Sequence, residues 1–79
     1  PNPIYKDFVV RIYLTNAAEV FLSLDDDRGR SAQIMETGGI LQPGYYEYAV
    51  DTDKLAEGTY FINLRSVDET KSFKLAVVK

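Results

Sequence analysis

Seventy-nine residues, 46% of them hydrophobic and 27% charged, suffice for one small domain and leave no room for a second. The chain has no histidine, cysteine or tryptophan, which excludes Ser-His-Asp and Cys-His nucleophiles, an imidazole base, a thiolate zinc site and a disulfide staple. Twelve acidic and nine basic residues are spread over both halves for a net charge of −3, so no clustered Lys/Arg footprint points to nucleic acid.

A domain of this size buries roughly 60% of the surface its unfolded chain exposes, which leaves one core and no interior for a deep substrate pocket. The longest apolar runs, such as Leu75-Ala76-Val77-Val78, reach four residues. None is long enough to span a bilayer or to form the apolar core of an export leader. The opening Pro1-Asn2-Pro3, with no initiator Met, reads as a cut made inside a longer precursor.

Hydrophobic alternation of period two dominates the chain. Phe8, Val10, Ile12 and Leu14 face one way, and Val9, Arg11 and Tyr13 the other. Val20, Leu22 and Leu24 repeat the pattern, with Phe21 and Ser23 outward, and lead into the hairpin loop Asp25-Asp26-Asp27-Arg28-Gly29. A shorter strand with Ala32 and Ile34 inward is expected next, followed by breaks at Gly38-Gly39 and Pro43-Gly44.

In the second half, Tyr46, Tyr48 and Val50 alternate with Tyr45, Glu47 and Ala49. Asp53 is expected to cap one helical turn whose Leu55 plugs the end of the core, with Gly58 ending it. Tyr60, Ile62 and Leu64 form the inward set of the next strand, opposite Thr59, Phe61, Asn63 and Arg65. After the turn at Asp68-Glu69, Phe73, Leu75 and Val77 form the last inward set. About seven short strands with one apolar face each predict an all-β, immunoglobulin-like antiparallel sandwich, with a small barrel as the alternative.

Few residues suggest chemistry. The carboxylates of Asp25, Asp26 and Asp27 attract a hard cation in principle, but contiguous side chains in extended backbone point apart, so a solvated turn is the better reading. Asp51, Asp53 and Glu57 are explained by capping in the same way. No catalytic, metal or cofactor residue is expected. Tyr13, Phe21, Tyr45 and Phe61 fall on outward phases. Such aromatics either support the sheet by cross-strand pairing or form a docking surface.

The order of several short motifs resembles a known family along almost the whole chain. Pro1-Asn2-Pro3 precedes an alternating strand, and Val20-Phe21-Leu22-Ser23-Leu24-Asp25-Asp26 is closed by Gly29-Arg30. Gly44 opens a strand, Leu55-x-x-Gly58-Thr59-Tyr60-Phe61 follows, and Lys74-Leu75-Ala76-Val77-Val78-Lys79 ends the sequence. This pattern is similar to the C-terminal sorting domain of proteins exported by the type IX secretion system of Bacteroidetes, an immunoglobulin-like module.

The resemblance implies a non-enzymatic signal at the end of a cargo protein. The outer-membrane secretion machinery recognises the folded domain, which passes through the periplasm to the cell surface, where a sortase-like peptidase removes it by a cut upstream of Pro1. The residues that the motif match assigns to recognition are Pro1, Asn2, Pro3, Gly58, Tyr60, Lys74, Val78 and Lys79. Partners would be the machinery, the peptidase and an N-terminal cargo domain, with weak self-association through an edge strand as a further expectation. A different function class stays open beside it: an accessory module that binds glycan or spaces domains in a larger surface protein.

Overall fold

A computed structural model describes residues 2–4, by their backbone, and 7–79. Among the described residues seven strands run β1 Asn2–Ile4, β2 Phe8–Leu14, β3 Ala18–Asp26, β4 Ser31–Leu41, β5 Gly44–Val50, β6 Gly58–Arg65 and β7 Thr70–Val77. They form two packed sheets, one of five strands in the order β1-β7-β6-β3-β4 and one of two, β2-β5. The expected seven-stranded β-sandwich is what the sequence folds into. All neighbouring strands pair antiparallel except β1, which runs parallel to β7.

The inward phases of β2, β3, β5 and β6 lie as their alternation predicts. Val20, Leu22 and Leu24 of β3 are fully enclosed, and Ile12, Val50, Tyr60, Ile62, Leu75 and Val77 close around them. Leu55 plugs the end of this core from a single 3-10 turn at Thr52–Lys54. The cap of that turn is Asp51 and not Asp53: the Asp51 side chain accepts the Asp53 N–H at 2.9 Å. The turn therefore starts two residues earlier than expected, with Thr52 buried and its N–H donated to Asp7 Oδ1 at 3.1 Å.

β4 departs most from the sequence reading. Ala32 and Ile34 are exposed, Ile34 by 60%, while Met35 and Leu41 pack against the core. Three bulges explain the change, each an extra β4 residue against β3, because pairing steps from Ile40 to Thr37, from Glu36 to Ile34 and from Gln33 to Ser31. Each inserted residue reverses the inward phase. Gly38-Gly39 is consequently no chain break. It lies inside an eleven-residue strand, at the bulge where Gly38 takes φ +100°.

The first hairpin closes through Asp26. Its backbone N–H donates to the Arg30 carbonyl at 2.8 Å and its carbonyl accepts from Gly29 at 3.1 Å. Gly29 supplies the left-handed position, φ +81°, that such a short loop requires.

Candidate functional site

The family-like motif residues meet around β7. Register places Asn2 and Tyr60 on either side of Leu75, Pro3 and Thr59 on either side of Ala76, and Ile4 and Gly58 on either side of Val77. Segments at the start, middle and end of the chain thus form one three-stranded patch. Pro1 lies outside the described residues. Lys74 projects exposed from this patch opposite Phe61. Beyond the strand, the Lys79 N–H donates to Glu57 Oε1 at 2.9 Å, tying the chain end to the Ala56–Gly58 turn. Val78 is half-buried and Gly58 exposed.

Tyr60 has a structural occupation. It is buried in the core, and its hydroxyl donates to the Ala56 carbonyl at 2.6 Å, which fixes the turn entering β6. It presents no phenol to a partner. Lys74 and Lys79, by contrast, keep exposed side chains.

The four outward aromatics divide between opposite faces of the sandwich. Tyr13 and Tyr45 stand directly across from one another on the two-stranded sheet, 72% and 56% exposed. Beside them Arg11 faces Glu47, with Nε and Oε2 at 2.9 Å, and the Tyr45 hydroxyl donates to the same Oε2 at 2.8 Å. The Arg11 guanidinium, then the Tyr45 hydroxyl, hold the Glu47 carboxyl below its usual value. Accepting that hydroxyl, Glu47 in turn pushes the Tyr45 phenol up.

Phe21 and Phe61 lie on the outer face of the five-stranded sheet. Phe61 is half-buried and not fully solvent-facing. The Phe21 ring lies 4.2 Å below the Arg65 guanidinium carbon, and its tip covers Gly38. These contacts give it a sheet-supporting role. They leave Tyr13 and Tyr45 as the freer aromatic surface.

The acidic run also resolves into structure. Asp25 accepts the Ser31 hydroxyl at 2.9 Å and the Asn63 amide, and Asn63 accepts the Ser72 hydroxyl at 2.8 Å. One polar ladder thus crosses β4, β3, β6 and β7. Asp26 Oδ1 accepts the N–H groups of Arg28 and Arg30, both at 2.9 Å, and Oδ2 meets Arg30 Nε at 2.9 Å. The backbone N–H of Arg30 does most to hold this carboxyl below its usual value. Both carboxylates already have donors, and among the described residues no three acidic groups gather as cation ligands.

One feature of the molecule has no counterpart in the sequence reading. Phe73 keeps the inward phase of β7 but is 58% exposed, on a groove it shares with β2. It forms the wall of an open groove of about 410 Å³ that follows β2 from Phe8 to Leu14, over Ile62, Leu64 and Leu75. Lys71 and Glu69 close one end, 3.4 Å apart. Lys71, two residues before Phe73 on the inward phase of β7, was the sequence signal that this part of the face is uncovered.

No protein-family model, curated protein sequence or solved structure matches the chain.

Proposed function

We propose that this sandwich is a C-terminal sorting domain of the type IX kind, a non-enzymatic signal that directs an attached cargo across the outer membrane and is itself cut from it. The observation that carries the reading is the meeting of Asn2-Pro3, Gly58–Tyr60 and Lys74–Lys79 around one strand. A signal read from a folded domain needs separated motifs brought together, and the exposed Lys74 and Lys79 side chains give that patch a basic, accessible character on an acidic chain.

In this reading the partners are the secretion machinery, a sortase-like peptidase acting upstream of Pro1 and the N-terminal cargo. The route runs through the periplasm to the cell surface. The test fuses residues 1–79 to a fluorescent cargo in a type IX-competent bacterium. Surface delivery by the intact fusion, lost on deleting Lys74–Lys79 and reduced by the fold-sparing pair Lys74→Glu and Lys79→Glu, is the expected result. Periplasmic retention of the intact, folded fusion overturns the proposal.

A second reading rests on the exposed Tyr13–Tyr45 pair beside the fixed Glu47 carboxylate. Two neighbouring aromatic rings and an acceptor suit a sugar ring and its hydroxyls, as an accessory glycan-binding module would require. Saccharide-array binding abolished by Tyr13→Ala and Tyr45→Ala, with export unaffected by the lysine changes, favours that alternative.

A further inference from the structure

Along β2 and β5 the outer face of the smaller sheet is built from three cross-strand rows: Val9 with Ala49, Arg11 with Glu47, and Tyr13 with Tyr45. The tyrosines are open to solvent, and the row beside them is an ion pair that sums to no net charge. Tyr45 is the fixed member of the aromatic pair. Glu47 follows it on the same face, about 6.8 Å along the strand, and the 2.8 Å bond from the Tyr45 hydroxyl to Glu47 Oε2 holds the ring leaning in that direction. Arg11 Nε donates to the same oxygen. Among the described residues, Glu47 Oε1 and the terminal guanidinium nitrogens of Arg11 take no further hydrogen bond.

We propose that this face holds an uncharged pyranose with vicinal equatorial hydroxyls, stacked on the two tyrosine rings and read by Glu47 Oε1 and the Arg11 guanidinium. The inference rests on the saccharide reading of the Tyr13–Tyr45 pair and names its ligand class. The ring hydrogens of such a sugar give an aromatic ring an apolar face to meet, while its hydroxyls stay at the rim. One hydroxyl of a vicinal diol donates to Glu47 Oε1 and its neighbour accepts from an Arg11 N–H, so both free ends of the ion pair are answered together.

The absence of charge on the ligand follows from the pair itself. A uronate meets Glu47 and an amino sugar meets Arg11, and each of those charges is already matched by the other. A proline-rich segment stacks on the same rings but lacks the N–H donors that the carboxylate needs. Strand addition has no footing here, because the backbones of β2 and β5 pair with each other and the face between them offers side chains alone. Tyr45 is in this arrangement both a stacking surface and, through its bond to Glu47, a group set in place before the sugar arrives.

The probe is cellohexaose, an uncharged chain of such sugars, titrated into the isotope-labelled full chain and followed by amide and tyrosine-ring shifts. Saturable shifts at residues 9–13 and 45–49 are expected at millimolar sugar. Oligogalacturonate, the acidic comparison, should bind about fivefold or more weakly. Two variants keep both rings. Glu47→Gln should weaken cellohexaose binding about fivefold or more, the value of a hydrogen bond to a charged group, and Tyr45→Phe, which retains the ring but releases it from Glu47, should weaken it as well. Both positions are exposed, and an unchanged amide spectrum away from the face verifies that each variant folds. Cellohexaose binding untouched by both variants, or tighter binding of oligogalacturonate, overturns the inference and leaves the saccharide reading standing. No saturable shift with either sugar overturns both, as does capture of decaproline and of neither sugar.

Discussion

The Phe21 ring fills the space that a side chain at Gly38 would need: a β-carbon there would stand 2.5 Å from the ring tip. The same glycine carries φ +100° at a bulge of β4. Gly38→Ala therefore meets two penalties, a disfavoured backbone conformation and a clash with a ring held under Arg65. A loss of about 2 kcal/mol or more is expected. Its neighbour is the control. Gly39 has open space around its would-be β-carbon and no positive φ, so Gly39→Ala should be neutral or stabilising by less than about 1 kcal/mol. Urea unfolding of both variants checks the contrast, and equal midpoints would mean that the ring yields without cost.

Leu22 and Phe73 share an inward phase but not an environment. Leu22 is enclosed between the sheets, so Leu22→Ala should cost about 2–5 kcal/mol, including the cavity left behind. Phe73, on the groove wall, already meets solvent. Phe73→Ser should stay within about 1 kcal/mol. Thermal midpoints read the difference readily, since 1 kcal/mol moves a domain of this size by about 4–8 °C. A large destabilisation by Phe73→Ser would show that the smaller sheet covers more of β7 in solution.

Acid should weaken the first hairpin through Asp26. Its carboxyl is held below the ordinary value of 3.8, chiefly by the backbone N–H of Arg30. A depressed folded value means that the ionised group favours the folded state. This contribution is complete above the unfolded value and drains away as the pH falls through the lower folded one. Asp26→Asn keeps an acceptor for the two N–H groups but removes the charge. The midpoint gap between the parent and this variant should be widest at neutral pH and close in strong acid. A gap that did not change with pH would assign the effect to shape and not to ionisation.

How far the sequence could be read follows from where its rules are local. β2, β3, β5 and β6 were legible because each keeps one period between recognisable turns, as Val20, Leu22 and Leu24 do. β4 was not, since three bulges each reverse the phase and nothing in Ser31–Leu41 but the glycine pair marks one. Glycine serves turns and bulges alike. Asp51 and Asp53 both satisfy a capping pattern in sequence, and what distinguishes them is visible only in the fold: Asp51 accepts the Asp53 N–H while Thr52 beside it is tied to Asp7, forty-five residues away. Alternation told which way Phe73 faces, but how far the opposing sheet reaches depends on strand order. The meeting of the motif residues on β7 was hidden for the same reason, because parallel pairing of β1 with the last strand joins the two ends of the chain.

Tyr60 and Lys74 separate the role of folding from that of recognition. Tyr60→Phe removes the hydroxyl bond to the Ala56 carbonyl and nothing else of the ring's packing, at an expected cost of about 0.5–1.5 kcal/mol. As the phenol is enclosed, any fall in cargo export by this variant should follow its fall in stability and recover at lower temperature. Lys74→Ala alters an exposed residue outside every hydrogen bond and ion pair described above, so its unfolding midpoint should shift by less than about 0.5 kcal/mol. If the β7 patch is read by the secretion machinery, export falls with Lys74→Ala at unchanged stability and does not recover on cooling. Export that tracks stability alike in both variants would mean that the fold is sensed as a whole and that Lys74 has no separate part in recognition.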